Sequence, residues 1–196
     1  MKYLHQFKQF GFTLVELLIV IIVIGILAAI VIIGYRGVTD NSYNSQVISG
    51  VASYRDTIDS YYAFFHKYPQ TTREINNQTI AVTCLGSGYT GGYCGKVTGV
   101  DIYEDSAFNT ELAKIGKGGA ISADALQVGT EVFTGAVYGI DAVDSSQSPT
   151  LFARTIQYAL KGASADCKLD GAWSYRLQDN PPMTACEIIL ETVPAR

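Results

Sequence analysis

Four cysteines are the residues whose spacing most directly suggests covalent chemistry: Cys84, Cys94, Cys167 and Cys186. Four cysteines allow three disulfide connectivities. We expect sequential pairing, because Cys84–Cys94 would close a Gly-rich loop and Cys167–Cys186 would link two C-terminal strands. By loop length, each bond would contribute about 3 kcal/mol to stability.

Metal binding and catalysis are the alternative uses of such side chains. Zinc sites usually contain closely spaced ligand pairs, but no CxxC occurs here and the only histidines are His5 and His66. Only His66 would remain after removal of the polar leader that contains His5, so no Ser-His-Asp or Cys-His set can be assembled. We therefore expect no bound metal, no cofactor and no enzymatic activity.

Two further features argue against nucleotide and nucleic-acid binding. Gly86, Gly88 and Gly91 formally match GxGxxG, but the GYCG that follows opens no helix, so a flexible loop is the better interpretation. The formal charge is −4, from 14 basic and 18 acidic residues. Phosphate-driven binding needs a basic surface, so nucleic acid is not an expected partner.

One glutamate, Glu16, lies inside an apolar run that extends from Phe12 to Ile33. These 22 residues would form about 33 Å of helix, which matches a hydrocarbon layer of about 30 Å. A secretory signal peptide would be cleaved after its apolar region. Here a polar leader ends at Gly11 before that region begins, so cleavage after Gly11 would retain the helix as an anchor.

Glu16 is costly in such a segment, since carboxylates are unfavourable in lipid. It could be an edge charge that reaches the membrane interface. The interpretation we favour is an ion pair: cleavage after Gly11 would give Phe12 a free α-amino group, in the same or a neighbouring chain. Such a pair would set the axial register of packed helices.

The segment KQFGFTLVELLIVIIVIGILAAIVI resembles the class III signal of type IV pilins and pseudopilins, over about residues 8–35. The resemblance implies cleavage by prepilin peptidase between Gly11 and Phe12, and N-methylation of Phe12. It gives Glu16 a role in subunit registration and methylation. One departure is Ile33, where pilins commonly carry proline.

A regular apolar pattern follows a polar stretch at 39–46. Spacings of four and three predict one helical face, which stops at Pro69: Val47, Val51, Tyr54, Ile58, Tyr61, Phe65 and Tyr68. The polar stretch is either the middle of one long helix or a break with Ser42 or Asn44 as a new N-cap. The aromatic residues of 54–68 are interpreted as core.

The remaining chain predicts a β-rich head. Residues 71–122 are interpreted as a long loop region with small elements, among them a short helix at 106–115. Alternation of apolar and polar residues, together with β-branched residues, predicts strands at 131–140, 150–160, 172–177 and 186–193. Short connections predict an antiparallel sheet with one face on the helix.

These expectations combine into an α+β fold of the type IV pilin kind: a long N-terminal helix packed on a C-terminal antiparallel sheet. The segments are a leader (1–11), a hydrophobic transmembrane or filament-core helix (12–35), its amphipathic continuation (36–68) and a globular head (69–196). The Cys167–Cys186 pair resembles the disulfide-bounded C-terminal region of many pilins.

The resemblance implies a structural subunit of a helical surface filament, serving adhesion, motility or DNA uptake. Its partners would be identical subunits, prepilin peptidase, and a pilus assembly platform with its ATPase. The subunit would start in the inner or cytoplasmic membrane and end in an extracellular pilus. The alternatives are a pseudopilin of a type II secretion system, to which the KYPQTT segment at 67–72 is similar, and a monomeric membrane-anchored binding module.

Overall fold

The computed structural model describes residues 13–71, 82–97, 99–116, 118, 121, 124–144, 151–163 and 165–194. Within these ranges, it describes only the backbone of residues 31–36, 140–144, 151–152, 179 and 192–194. The chain divides into two compact units, Met1–Thr39 and Asp40–Arg196.

Helix α1 comprises 52 residues, Leu14–Phe65. The polar stretch 39–46 is helical, so the helix is not broken at Ser42 or Asn44. Tertiary contacts compensate for the low helix propensity of these residues: Asn44 Nδ2 donates to the Lys161 carbonyl oxygen, and Lys161 N donates to Asn44 Oδ1, both at 2.8 Å. The helix ends at Phe65, three residues before Tyr68. The next residue, His66, adopts a left-handed φ of 53°, which is typical of a helix C-terminus.

The predicted apolar face of α1 is the face that the head buries. Val47, Val51 and Ile58 are fully buried, and they join one hydrophobic cluster with residues of the strands. The interpretation of all the aromatic residues as core is wrong for Tyr62 and Phe64, which are 41% and 72% exposed. These two residues lie off the face, because their positions break the spacing of four and three.

Nine strands and a second helix make up the described part of the head. Helix α2 is Ser106–Leu112, and a short 3-10 turn occupies Thr90–Gly92. The strands are β1 (Thr83–Leu85), β2 (Tyr93–Val97), β3 (Val100–Tyr103), β4 (Leu126–Val128), β5 (Glu131–Phe133), β6 (Ala136–Asp144), β7 (Leu151–Lys161), β8 (Ala172–Asp179) and β9 (Pro182–Pro194).

The strands form two antiparallel sheets. The larger has the order β1-β6-β7-β9-β8, and the smaller has the order β3-β2-β5-β4. In the larger sheet, β9 lies between β7 and β8, with Tyr158 of β7 and Ser174 of β8 both opposite Cys186. This architecture confirms the predicted α+β fold of a long helix followed by antiparallel sheet.

Two predictions about the strands need correction. Residues 71–122 were expected to be mainly loop, but they contain β1, β2 and β3, which are only three to five residues long. The single strand expected at 131–140 is two strands, β5 and β6, which belong to different sheets. Gly135, at φ 121°, permits the change of direction between them.

Helix α2 begins where the sequence predicted and ends three residues earlier than expected. Asp105 is its N-cap: the Oδ1 atom accepts hydrogen bonds from Ala107 N at 2.8 Å and Phe108 N at 3.3 Å. Such a cap satisfies amides that the first helical turn cannot bond internally. Phe108 and Leu112 anchor the other face of the helix in the core.

Candidate functional site

The N-terminal end of α1 is the candidate assembly site. Gly11 and Phe12, the expected cleavage and methylation residues, lie outside the described residues. The described chain begins at Thr13, and α1 begins one residue later. The described residues therefore include Glu16 and its neighbours in α1, but not the predicted Phe12 amine.

Thr13 and Glu16 form a reciprocal capping box. Glu16 Oε2 accepts from Thr13 N at 2.8 Å and from Thr13 Oγ1 at 2.7 Å. Glu16 N donates back to Thr13 Oγ1 at 3.2 Å. The carboxylate thus satisfies a backbone amide at the start of its own helix that has no partner within the helix. The sequence analysis did not predict this role, although T-x-x-E before an apolar run is the signature of a capping box.

The following turns of α1 expose apolar side chains around the whole helix. Every described side chain from residue 13 to residue 30 is exposed, including Ile21 at 59% and Ile30 at 65%. A helix that is apolar on all sides is normally covered by lipid or by other protein. Within the residues searched, however, no helix is both long enough and apolar enough to cross a membrane.

The head contains two disulfide bonds. Cys84 is bonded to Cys94, and Cys167 to Cys186, each with a Cα–Cα distance of 5.8 Å. The first joins β1 to β2 and encloses the GxGxxG segment. The second joins the β7–β8 connection to β9, so each bond closes a loop of the head.

Three further sequence patterns concern nucleotide, metal and sugar attachment. Gly91 lies in the 3-10 turn between β1 and β2, where no helix of the dinucleotide-binding kind follows. Within the described chain, no group of three or more His, Cys, Asp or Glu side chains is arranged to hold a metal ion. Asn77, a formal glycosylation sequon, lies outside the described residues.

A buried polar contact links the two sheets. The Tyr175 hydroxyl on β8 donates to Glu131 Oε2 on β5 at 2.8 Å, and Arg176 Nη2 lies 3.6 Å from Glu131 Oε1. Glu131 is only 2% exposed. Burial, together with the Glu131 charge, raises the pKa of Tyr175 well above its ordinary value, so this hydroxyl remains a donor.

Comparison with known proteins gives the N-terminal region a family. The family described as "Prokaryotic N-terminal methylation motif" matches residues 6–32. That range contains Gly11, Phe12 and the Thr13–Glu16 capping box. In its N-terminal region the chain therefore carries a methylation motif and is similar to type IV pilins and to type II secretion pseudopilins.

Individual pilin-family relatives fall into two groups. The chain is 32% identical over 76 residues to type II secretion system core protein G of Escherichia coli K12, covering 39% of this chain and 52% of the relative. It is 34% identical over 89 residues to type IV major pilin protein PilE1 of Neisseria gonorrhoeae, covering 45% and 51%. It is 37% identical over 81 residues to fimbrial protein Q of Moraxella bovis, covering 40% and 50%.

The chain therefore spans about half the length of the curated relatives it matches. No solved structure matches it. The match to the methylation-motif family is confined to residues 6–32.

Proposed function

We propose that this chain is a structural subunit that polymerises through its N-terminal helix into a filament. The observation that carries this proposal is the exposed apolar surface of α1 over residues 13–30, which lies within the methylation motif. Such a surface is soluble only when another hydrophobic surface covers it. Identical helices packed side by side supply that cover.

Assembly begins with cleavage of the 1–11 leader after Gly11, which frees and exposes the Phe12 amine for methylation. Glu16 then has two competing partners, the Thr13 cap and a Phe12 amine of its own or a neighbouring chain. In a helix bundle the charged partner is favoured, because an ion pair in a low-dielectric surrounding is stronger than a neutral hydrogen bond. That pairing fixes the axial register of the subunits.

The partners follow from this mechanism. Prepilin peptidase removes the leader, while an assembly platform with its ATPase moves the 12–35 helix from the inner membrane into the growing polymer. The head, 69–196, forms the outer surface of an extracellular pilus that serves adhesion, motility or DNA uptake. The protein itself performs no catalysis and needs no cofactor.

A second function is supported equally by the comparisons. Several of the relatives carry the name type II secretion system core protein G, which makes a pseudopilin of a secretion system the competing proposal. Deleting the gene separates the two. A pilin mutant loses surface filaments with secretion intact, whereas a pseudopilin mutant retains exoproteins in the periplasm and has no filament to lose.

Substitution of Glu16 tests polymerisation itself. Glu16→Gln keeps the shape of the side chain and removes its charge, so we expect few or no filaments by electron microscopy while the subunit still accumulates in the membrane. Glu16→Asp, which keeps the charge, is the matched control. Normal filament numbers in Glu16→Gln would overturn the registration role and favour a monomeric binding module.

Mass spectrometry of the mature chain tests processing. We expect the purified subunit to begin at Phe12 and to carry one additional methyl group on its α-amine. A mature chain that begins at any other residue contradicts the proposed cleavage.

A further inference from the structure

A polar groove lies between the C-terminal end of α1 and α2, and we propose that it binds an acidic sugar, meaning a hydroxylated ring that carries a carboxylate or a phosphate. Its volume of about 530 Å³ is in the range of roughly 300–1,000 Å³ found for small-molecule sites. We call it the α1–α2 groove. Its principal polar lining residues are Tyr61, Lys67, Gln70, Ser106, Thr110 and Lys114.

One wall is the segment that follows α1. It is held at two points: the Tyr68 hydroxyl donates to the Leu190 carbonyl oxygen at 3.2 Å, and the Tyr138 hydroxyl donates to the Pro69 carbonyl oxygen at 3.2 Å. Lys67 and Gln70 flank these anchors. A wall fixed in this way needs little ordering when a ligand binds.

The other wall is the exposed side of α2 and of the turn that follows it. Ser106, Thr110 and Lys114 recur at intervals of four, which places them on one side. The opposite side of α2 is fixed in the core by Phe108 and Leu112. This wall presents two hydroxyl groups and one ammonium group to the groove.

The floor contains a partly buried hydrogen-bonded chain. Tyr61, only 1% exposed, donates its hydroxyl to Glu111 Oε2 at 2.7 Å, and Glu111 Oε1 accepts from Lys114 Nζ. Burial raises the pKa of Tyr61 to about 12, so its hydroxyl stays a donor. Both carboxylate oxygens are thereby bonded, and Glu111 is a positioning residue that holds Lys114.

Lys114 is positioned from a second direction as well. Its ammonium nitrogen lies 5.9 Å from the centroid of the Phe65 ring, within the range of a cation–π contact. An ammonium group has three N–H donors, and Glu111 occupies one of them. Lys114 can therefore contact a ligand without leaving its present position.

The chemistry of the lining selects the class of ligand. The lining holds two ammonium groups and one carboxylate, Glu111, whose two oxygens already accept from Tyr61 and Lys114. The excess positive charge favours an anion, because charge-assisted hydrogen bonds are about twice as strong as neutral ones. The hydroxyl and amide groups match the hydroxyls of a sugar ring. An apolar ligand would bury these groups without partners, which is unfavourable.

The test uses the full chain in detergent micelles and isothermal titration calorimetry. Glucuronic acid and glucose 6-phosphate are the probes, while glucose and inorganic phosphate are the comparators. We expect at least one probe to bind about tenfold more tightly than either comparator. Whichever probe binds identifies the carboxylate or the phosphate as the recognised anion.

Variants locate the binding to the groove. We expect Lys67→Gln and Lys114→Gln each to reduce affinity at least about fivefold, since each removes one charge-assisted contact. Lys96→Gln is the matched control: it removes the same charge from β2, where Lys96 lies 3.8 Å from Asp101, and should leave binding unchanged. If Lys114→Gln lowers the melting temperature, its affinity is not interpreted, and the affinity of Lys67→Gln alone tests whether the groove binds the probe.

Three results would overturn the proposal: no saturable binding of either probe, binding of a comparator as tight as that of both probes, or unchanged affinity in Lys67→Gln. The measurement does not require polymerisation. A failure here leaves the filament proposal intact, and a failure of the Glu16 test leaves this one intact.

Discussion

The residue pair Thr13 and Glu16 shows how an acidic side chain can be accommodated at the start of an apolar helix. The carboxylate accepts two hydrogen bonds from Thr13, at 2.8 and 2.7 Å. An acid without partners would be unfavourable in an apolar surrounding. The cap gives Glu16 partners within its own helix, and in the proposed assembly the Phe12 amine would compete with them.

Replacing Thr13 tests this role directly. In Thr13→Ala the first turn loses its side-chain cap, which costs about 1 kcal/mol or about a fivefold change in local opening. We expect the amide of Glu16 to exchange about fivefold faster in detergent micelles, measured by hydrogen exchange. Thr13→Ser keeps the hydroxyl and should exchange as the wild type does; equal rates in all three proteins would contradict the capping role.

A second single-residue effect concerns acid stability. The hydrogen bond from Lys114, and then the one from Tyr61, lowers the pKa of Glu111 in the folded protein below its ordinary value of 4.5. The stabilisation is therefore present above about pH 4.5 and is lost as pH falls through the lower folded pKa.

The variant Glu111→Gln should remove this dependence. Between pH 7 and pH 3, we expect its melting temperature to fall less steeply than that of the wild type below about pH 4.5. Differential scanning calorimetry across that range makes the comparison. Parallel profiles would show that Glu111 contributes no pH-dependent stability.

At the scale of elements, Lys161 fixes α1 to the end of β7. Its ammonium lies 3.8 Å from both Asp40 and Asp124 and 4.6 Å from the Tyr43 ring centroid. Its backbone is bonded to Asn44 in both directions. These contacts account for the helicity of a polar stretch with poor intrinsic propensity.

Removing the Lys161 charge should loosen that part of the helix. Lys161→Met keeps most of the apolar stem, and we expect it to cost about 1 kcal/mol through the lost ion pairs and cation–π contact. Hydrogen exchange of residues 40–47 should accelerate accordingly. Lys96→Met, from an exposed pair on β2, should change stability by less than about 0.5 kcal/mol.

The helical elements were predictable because their signals are local and repeated. The 3.6-residue pattern from Val47 to Tyr61 identified the buried face, and Pro69 bounded the helix. The capping box was equally local, yet it was missed because Glu16 was considered only as a charge, either at the membrane interface or paired with a cation. Element-level reasoning about Thr13 would have found it.

The short strands were not predictable in the same way. Strands β1, β2 and β3 contain only three to five residues, too few for an alternating pattern to stand out from the surrounding glycines. Their pairing is decided by tertiary contacts, such as the approach of Gly95 to Phe133 across β2 and β5. An added Cβ at Gly95 would collide with the Val132 carbonyl oxygen, so the glycine is required there.

The α1–α2 groove was also beyond sequence reasoning. Its walls come from residues 61–70 and 106–114, which are joined only through the fold. Tyr61 was correctly expected to be buried. The neighbouring sequence, however, gives no sign that its hydroxyl donates a hydrogen bond to Glu111, which lies 50 residues later.

At the scale of the whole molecule, the disulfides restrict the unfolded chain of the head. Cys167 and Cys186 close a loop of 19 residues in sequence separation, which corresponds to about 3 kcal/mol in the loop-entropy account. We expect the double variant Cys167→Ser, Cys186→Ser to lose about that much in urea denaturation.

Peptide mapping provides the complementary measurement. Digestion without reductant should yield one peptide pair linked through Cys84 and Cys94 and another linked through Cys167 and Cys186. Recovery of a crossed pair, such as Cys94 with Cys167, would contradict the connectivity.

The central position of β9 imposes an order on biogenesis. It is the last of the described strands in sequence, yet β7 and β8 both bond to it and not to each other. A head that emerges from a ribosome or channel in the order of its sequence could complete this sheet only after β9 had emerged. The Cys167–Cys186 bond obeys the same order, because an external oxidant can remove two electrons from this pair of thiols only once Cys186 is available.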